Sequence, residues 1–201
     1  MTLSSLSLLR PAWVLAGSLL LAAPGWSRQP DPIPPPAPVI SDEVALRAVP
    51  LELRQQSGLQ VVLDRRQRQL MVLEDGQLKY RYPAAVGTVG WETPAGQFQV
   101  LEKQAEPVWE HPGNGKQVPP GGKNPLGSRW IGFVRDCGGR SGWDGERYLD
   151  VAGCTVAGFH GTPHRWTVGR AVSHGCVRLF EEHVQQLFDL VQVGTPVTVL
   201  P

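Results

Sequence analysis

Two short segments hold the residue types that acyl-transfer chemistry needs. Cys176 stands in Ser173-His174-Gly175-Cys176-Val177-Arg178-Leu179, and sixteen positions earlier His160 stands in Gly158-Phe159-His160-Gly161-Thr162. A thiol attacks as its thiolate, so it needs a base or a positive charge close by. His160 is the candidate base and Arg178 a nearby cation along the chain. Gly175 leaves the backbone free to approach a substrate carbonyl, and amide N–H groups at this point are candidates for an oxyanion hole. A buried structural cysteine is the competing reading. So is a zinc site, because His160, His164, His174 and Cys176 are all able to bind that metal. The His160/His164 spacing puts both on one face only in a helix, and Gly161 and Pro163 oppose a helix there. The expectation is a site without metal or cofactor.

The elements that must position these groups read as strands. Leu59 to Asp64 and Gln69 to Leu73 are apolar runs, and Asp75-Gly76 before Gln77 to Tyr82 is a hairpin signal. Pro83 closes that strand, and Ala85-Val86-Gly87 opens another short one. Thr93-Pro94-Ala95-Gly96 is a turn into Phe98-Gln99-Val100-Leu101. Residues 105–129 are rich in Gly, Pro, Asn and Lys and read as a long loop, followed by a strand at Trp130 to Val134. Val184, Leu187, Phe188 and Val191 recur on one face of a helix predicted over 181–191, with Gly194 as its C-terminal cap and a closing strand at 196–200. Many short strands with one or two short helices make the fold class mainly β, a sandwich or open barrel of mixed strands.

The N-terminus reads differently. Arg10 is the lone charge before an apolar stretch from Ala12 to Ala23, shorter than the about 20 residues that span a bilayer. Residues 1–26 read as a secretory signal, with an uncleaved anchor as the rival. Residues 27–57 read as a linker and lead-in that begins proline-rich and extended, and 58–201 as the functional domain. The expected location is therefore the periplasm or cell envelope. There Cys137 and Cys154, flanking a Gly-rich insertion, suit a hairpin closed by a disulfide, with two unpaired thiols as the alternative. The 201 residues carry a formal net charge of +1, with no basic surplus to argue for nucleic acid. The serine acyl-transferase signatures S-x-x-K and K-T-G are absent, as are G-x-S-x-G, H-E-x-x-H and the P-loop.

The motifs carry a resemblance. Ser173 to Leu179, preceded by the histidine of Phe159-His160-Gly161-Thr162, is similar to the signature of the L,D-transpeptidase (YkuD-like) catalytic domain. Thr93-Pro94-Ala95-Gly96-Gln97-Phe98 and Asn124-Pro125-Leu126-Gly127-Ser128-Arg129-Trp130 match further family segments, as does the opening hairpin, so the resemblance runs from about residue 59 to 201. The insertion 137–154 is not part of that pattern. The resemblance implies a peptidoglycan enzyme whose Cys176 attacks the third residue of a tetrapeptide stem, releasing D-alanine, and passes the acyl group to an amine. Water as acceptor would make it an L,D-carboxypeptidase; a non-catalytic wall-binding module is the remaining alternative. His160 would be base and later proton donor. His174 would help orient the site or polarise the oxyanion, with the amides of Gly175 and Cys176. Arg178 would grip a substrate carboxylate, Ser173 would hold the loop or contact substrate, and Gly161 would be a further substrate contact. The implied partners are stem peptides and, as covalent inhibitors, β-lactams of the carbapenem type. Contact with a membrane is expected only through a retained N-terminal segment.

Overall fold

The computed structural model describes residues 41–111, 114–143, 148–151 and 153–201. The signal-like segment and the proline-rich stretch up to residue 40 lie outside the described residues. Two short helices come first, α1 (Asp42–Ala48) and α2 (Leu51–Arg54). Ser41 caps α1 by accepting the Val44 N–H at 3.3 Å, and Asp42 and Glu43 suit its positive end. An antiparallel meander follows: β1 (Leu59–Asp64), β2 (Gln69–Glu74) and β3 (Gln77–Pro83). Asp75 and Gly76 join the last two at φ of 51° and 74°, the left-handed pair that a two-residue hairpin of type I′ requires.

The alternation along β1 and β2 explains why both read as continuous apolar runs. Val61, Leu63, Leu70 and Val72 face the main core. Val62, Met71 and Leu73 face the other way, where Ala45, Val49 and Leu53 cover them. These two strands are thus buried on both faces. Residues 42–54, assigned to the lead-in by sequence, are the helices that cover the outer face. With seven and four residues, they are too short to display a helical period.

The remaining strands are β4 (Val86–Gly87), β5 (Gly96–Gln99), β6 (Glu102–Ala105), β7 (Trp109–Glu110), β8 (Gln117–Val118), β9 (Arg129–Asp136), β10 (Arg140–Trp143), β11 (Tyr148–Val151), β12 (Thr155–His160), β13 (Ala171–Ser173), β14 (Val177–Arg178) and β15 (Pro196–Leu200). One sheet runs β3-β2-β1-β15-β5, with β15 parallel to β1; the other runs β14-β12-β9-β6, with β14 parallel to β12. Between them lies the main core, closed by α3 (Glu181–Leu190), which buries Val184 and Leu187. This is the mainly β, mixed-strand layering expected from sequence. Gly194 departs from expectation. Val191 ends α3 in an extended conformation, and Gly194 (φ 92°) instead serves the turn in which the Thr195 N–H returns to the Gln192 carbonyl.

The insertion is a hairpin. β10 and β11 pair antiparallel, and Cys137 and Cys154 are joined at its base by a disulfide. Residues 144–147, between the two strands, lie outside the described residues. Cys176 is the free thiol.

Candidate active site

The site follows from strand register. Phe159 pairs with Val177 and His160 with Arg178 in parallel, while His160 faces Trp130 across the antiparallel pair with β9. Paired residues share a face and neighbours alternate. Phe159, Val177 and Ile131 therefore enter the core and are fully buried. His160, Arg178 and Trp130 take the opposite face, and Cys176, two residues before Arg178, falls beside them. All four line one cavity of about 520 Å³, with Ser173 and His174. Gly158 sits between the thiol and the Trp130 ring. A Cβ there would come within 2.7 Å of the Ile131 carbonyl and the ring edge, so this strand position admits no side chain.

His160 is buried, and its Nδ1 lies 2.6 Å from the Gly161 carbonyl oxygen. A carbonyl only accepts, so that geometry assigns the proton to Nδ1 and leaves Nε2 as the basic nitrogen. The orienting group is thus main-chain, which no residue-type pattern reveals. The Trp130 ring stacks on the imidazole at 6.1 Å and is itself held by Nε1–H donation to Glu102 at 2.9 Å. Burial, and then the Arg178 charge, pushes His160 down to about 3, against the pull of the Gly161 hydrogen bond. Burial pushes the Cys176 thiol up, while a backbone hydrogen bond from Gly158 and the Arg178 charge pull it back. At neutral pH the pair therefore rests as neutral thiol and neutral imidazole.

The loop before Cys176 is tied to itself. Ser173 is buried, and its hydroxyl donates to the Cys176 carbonyl while accepting the Gly175 N–H at 3.2 Å. Of the two roles read for Ser173, these bonds support the loop-holding one, and Ser173 also lines the cavity; the Gly175 amide is engaged with that hydroxyl rather than turned to the cavity. Gly175 has a φ of 112°, a backbone conformation that side chains rarely allow, which explains its identity. The part the structure shows for Gly161 is the carbonyl that holds His160.

Arg178 is the cation the cavity leaves uncommitted. Its backbone exchanges both hydrogen bonds with Ala85, and among the described residues no carboxylate pairs with its guanidinium. The acids that follow it are occupied elsewhere. Glu182 takes both arms of Arg165 at 2.8 and 2.7 Å, and Glu181 accepts from Ser128. His174 is exposed, edge-on to Trp91 at 5.2 Å. Trp91 is buried and donates its Nε1–H to the Trp143 carbonyl at 2.9 Å, so the insertion hairpin docks on the residue behind His174. Trp109 also lines the cavity, whereas Trp166 is exposed. His164 is exposed. His183 is half-buried between Tyr82 and Phe180. Among the described residues no three His, Cys, Asp or Glu side chains group as metal ligands would, and no helix is long and apolar enough to cross a membrane.

A mixed β-sandwich thus brings a thiol, a main-chain-oriented imidazole and a guanidinium to one cavity. Comparison places the chain in a family. The family model of the L,D-transpeptidase catalytic domain (YkuD) matches residues 59–199, and the chain belongs to that family. It is 34% identical over 140 residues to a putative L,D-transpeptidase, YqjB, of Bacillus subtilis (strain 168), covering 69% of each chain. With the putative L,D-transpeptidase YkuD of Bacillus licheniformis it shares 29% over 134 residues, 67% of this chain and 61% of that one. The fold is also that of the L,D-transpeptidase LdtMt1, solved in complex with imipenem (TM-score 0.52, 22% identity, 72% of this chain and 59% of that one).

Proposed function

We propose that the protein is a cysteine-dependent L,D-transpeptidase acting on peptidoglycan stem peptides. The observation that carries the reading is the shared face of His160, Cys176 and Arg178, with Nε2 of the imidazole left basic by the Gly161 hydrogen bond. As Cys176 Sγ attacks the carbonyl carbon of the stem's third residue, its proton passes to His160 Nε2 and an S–C bond forms. The oxyanion is met by the Cys176 N–H and the His174 side chain. Collapse breaks the C–N bond, and the imidazolium gives its proton to the departing D-alanine nitrogen, leaving a thioester. An acceptor amine then attacks the thioester carbonyl. Its proton moves to His160 and on to the released thiolate, giving a 3→3 crosslink or attachment of another molecule. Arg178 receives a stem carboxylate as a two-point partner.

We place this activity outside the cytoplasm, in the periplasm or cell envelope. Support comes from the leader-like segment 1–26 and from the Cys137–Cys154 disulfide, a bond that persists in oxidising compartments. The proline-rich stretch after the leader then serves as a spacer ahead of the domain. The test of mechanism is intact mass after incubation with a carbapenem. A covalent adduct is expected on the wild type and none on Cys176→Ala. An adduct on both proteins, or on neither, overturns the assignment. Stem tetrapeptides with an added amine then identify the acceptor by product mass.

A further inference from the structure

One carboxylate near the site is left over by this mechanism. Glu181, in the first turn of α3, accepts the Ser128 N–H at 3.1 Å and the Ser128 hydroxyl at 2.8 Å, both through Oε2. Its Oε1 is buried and has no hydrogen-bond partner. Two glycines close over that oxygen. A Cβ built on Gly161 or on Gly127 would overlap it, and a Cβ on Gly127 would also stand 2.8 Å from the Gly161 Cα. Three segments far apart in sequence thus meet at one carboxylate: the turn at 124–128, the turn after β12, and the start of α3.

Such an arrangement is costly unless it does something. A carboxylate oxygen buried without a partner costs free energy, while the other oxygen is the acceptor for both Ser128 donors. What it touches is the peptide whose carbonyl orients the base, since Gly161 accepts the His160 Nδ1 proton. The turn is pinned on either side, by the Leu179 N–H on the His160 carbonyl at 2.8 Å and by buried Thr162, and Gly161 between them has no side chain of its own to fix its peptide.

We propose that Glu181 is a positioning residue, which fastens the Gly161 turn to the 124–128 turn and so holds the imidazole of His160 facing Cys176. The inference rests on the acyl-transfer reading for its consequence, but its geometry can be tested without a wall substrate. It acts through Gly161 and contacts no reacting atom. It also gives both glycines a reason: they are small because the carboxylate fills the space their side chains would take.

The experiment uses the full chain and three variants, Glu181→Ala, Gly161→Ala and the double variant. Two readouts report the imidazole: the nitrogen and proton shifts of the His160 ring by NMR, and the rate of Cys176 alkylation by iodoacetamide against pH. Circular dichroism confirms that each variant is folded. In the wild type the Nδ1 proton gives a resolved downfield resonance. In Glu181→Ala that resonance weakens or is lost, and alkylation at neutral pH slows about tenfold, short of the roughly hundredfold expected for His160→Ala. Gly161→Ala alone does similar damage, because its methyl meets Oε1. The double variant is no worse than Glu181→Ala, since the space is then vacant. Ser128→Ala, which removes one donor, moves both readouts the same way by less and guards against a variant that fails to fold. An unchanged Nδ1 resonance and pH profile in Glu181→Ala overturn the proposal, as does strict additivity in the double variant. If instead alkylation depends on Glu181 and His160 but neither carbapenem nor stem peptide acylates the protein, the positioning stands and the transpeptidase reading fails.

Discussion

Acidification separates three accounts of how Cys176 is activated. The perturbation is a shift from pH 7 to pH 5, and the group that decides the outcome is His160. Its burial and the Arg178 charge hold it down at about 3, against an ordinary value of 6.5. A protonated imidazole cannot take the thiol proton, so activity is held above that pKa and lost only as pH falls through it. At pH 5 about 99% of the imidazole is still basic, and acylation by a carbapenem is expected to stay within about twofold of its rate at pH 7. A histidine at its ordinary value would lose its base form about 25-fold over the same interval. A thiolate formed by free equilibrium, with the thiol pushed up by burial, would fall about 100-fold. Rates come from intact mass or from tryptophan fluorescence. A standing thiolate–imidazolium pair would also give a flat profile, so the ultraviolet difference between wild type and Cys176→Ala is read at pH 7, where no thiolate band is expected. The fold needs a control as well. Below about pH 6.5 the unfolded chain takes up a proton that folded His160 refuses, which removes about 2 kcal/mol of stability by pH 5. Near-ultraviolet circular dichroism at pH 5 excludes that cause. A drop of 25-fold or more in a folded protein, or a thiolate band at neutral pH, refutes the neutral-pair mechanism.

Two further outcomes follow from the site's walls. Arg178→Lys keeps the charge but loses the fork, and is expected to raise KM for a stem tetrapeptide about tenfold or more with a smaller effect on kcat; an unchanged KM means that the guanidinium does not hold a carboxylate. Thiol titration of the denatured, unreduced protein should find one free cysteine. Cys137→Ser with Cys154→Ser should lower stability by roughly 3 kcal/mol in the chain-entropy view of a loop of this span, measured by denaturant unfolding, whereas three titratable thiols in the wild type would show the pair to be open.

The sequence carried the meander, the Asp75-Gly76 turn, α3 and the layering, because each depends on local periodicity or turn chemistry. The cover over the outer face of β1 and β2 was not legible, since α1 and α2 are too short to show a pattern and Val62, Met71 and Leu73 look like core whichever way they point. The residue types at the site were legible as motifs: Cys176, His160 and Arg178 do fall on one face. Roles held by the backbone were not. The Gly161 carbonyl orients His160, and the Gly175 amide is spent on Ser173, and neither fact has a side-chain signature. Glu181, three residues after Arg178 in sequence, reaches Ser128 in space, a pairing that sequence proximity does not reveal.

The spacing between the two catalytic candidates has its own physical reading. His160 ends β12 and Cys176 precedes β14, which runs parallel to it, so the chain must return the length of the strand before pairing again. Such a crossover needs about a dozen residues or more. Here it is made without an α-helix, by the 3₁₀ turn Arg165–Thr167 and by β13, which pairs in parallel with β4 on the way. The connection, residues 161–176, is a little above that minimum, and part of it is fixed by the β13–β4 pairing. The separation of base and nucleophile is thus set by strand geometry as much as by chemistry. An insertion or deletion within residues 161–172 is therefore expected to abolish acylation even though it touches neither Cys176 nor His160.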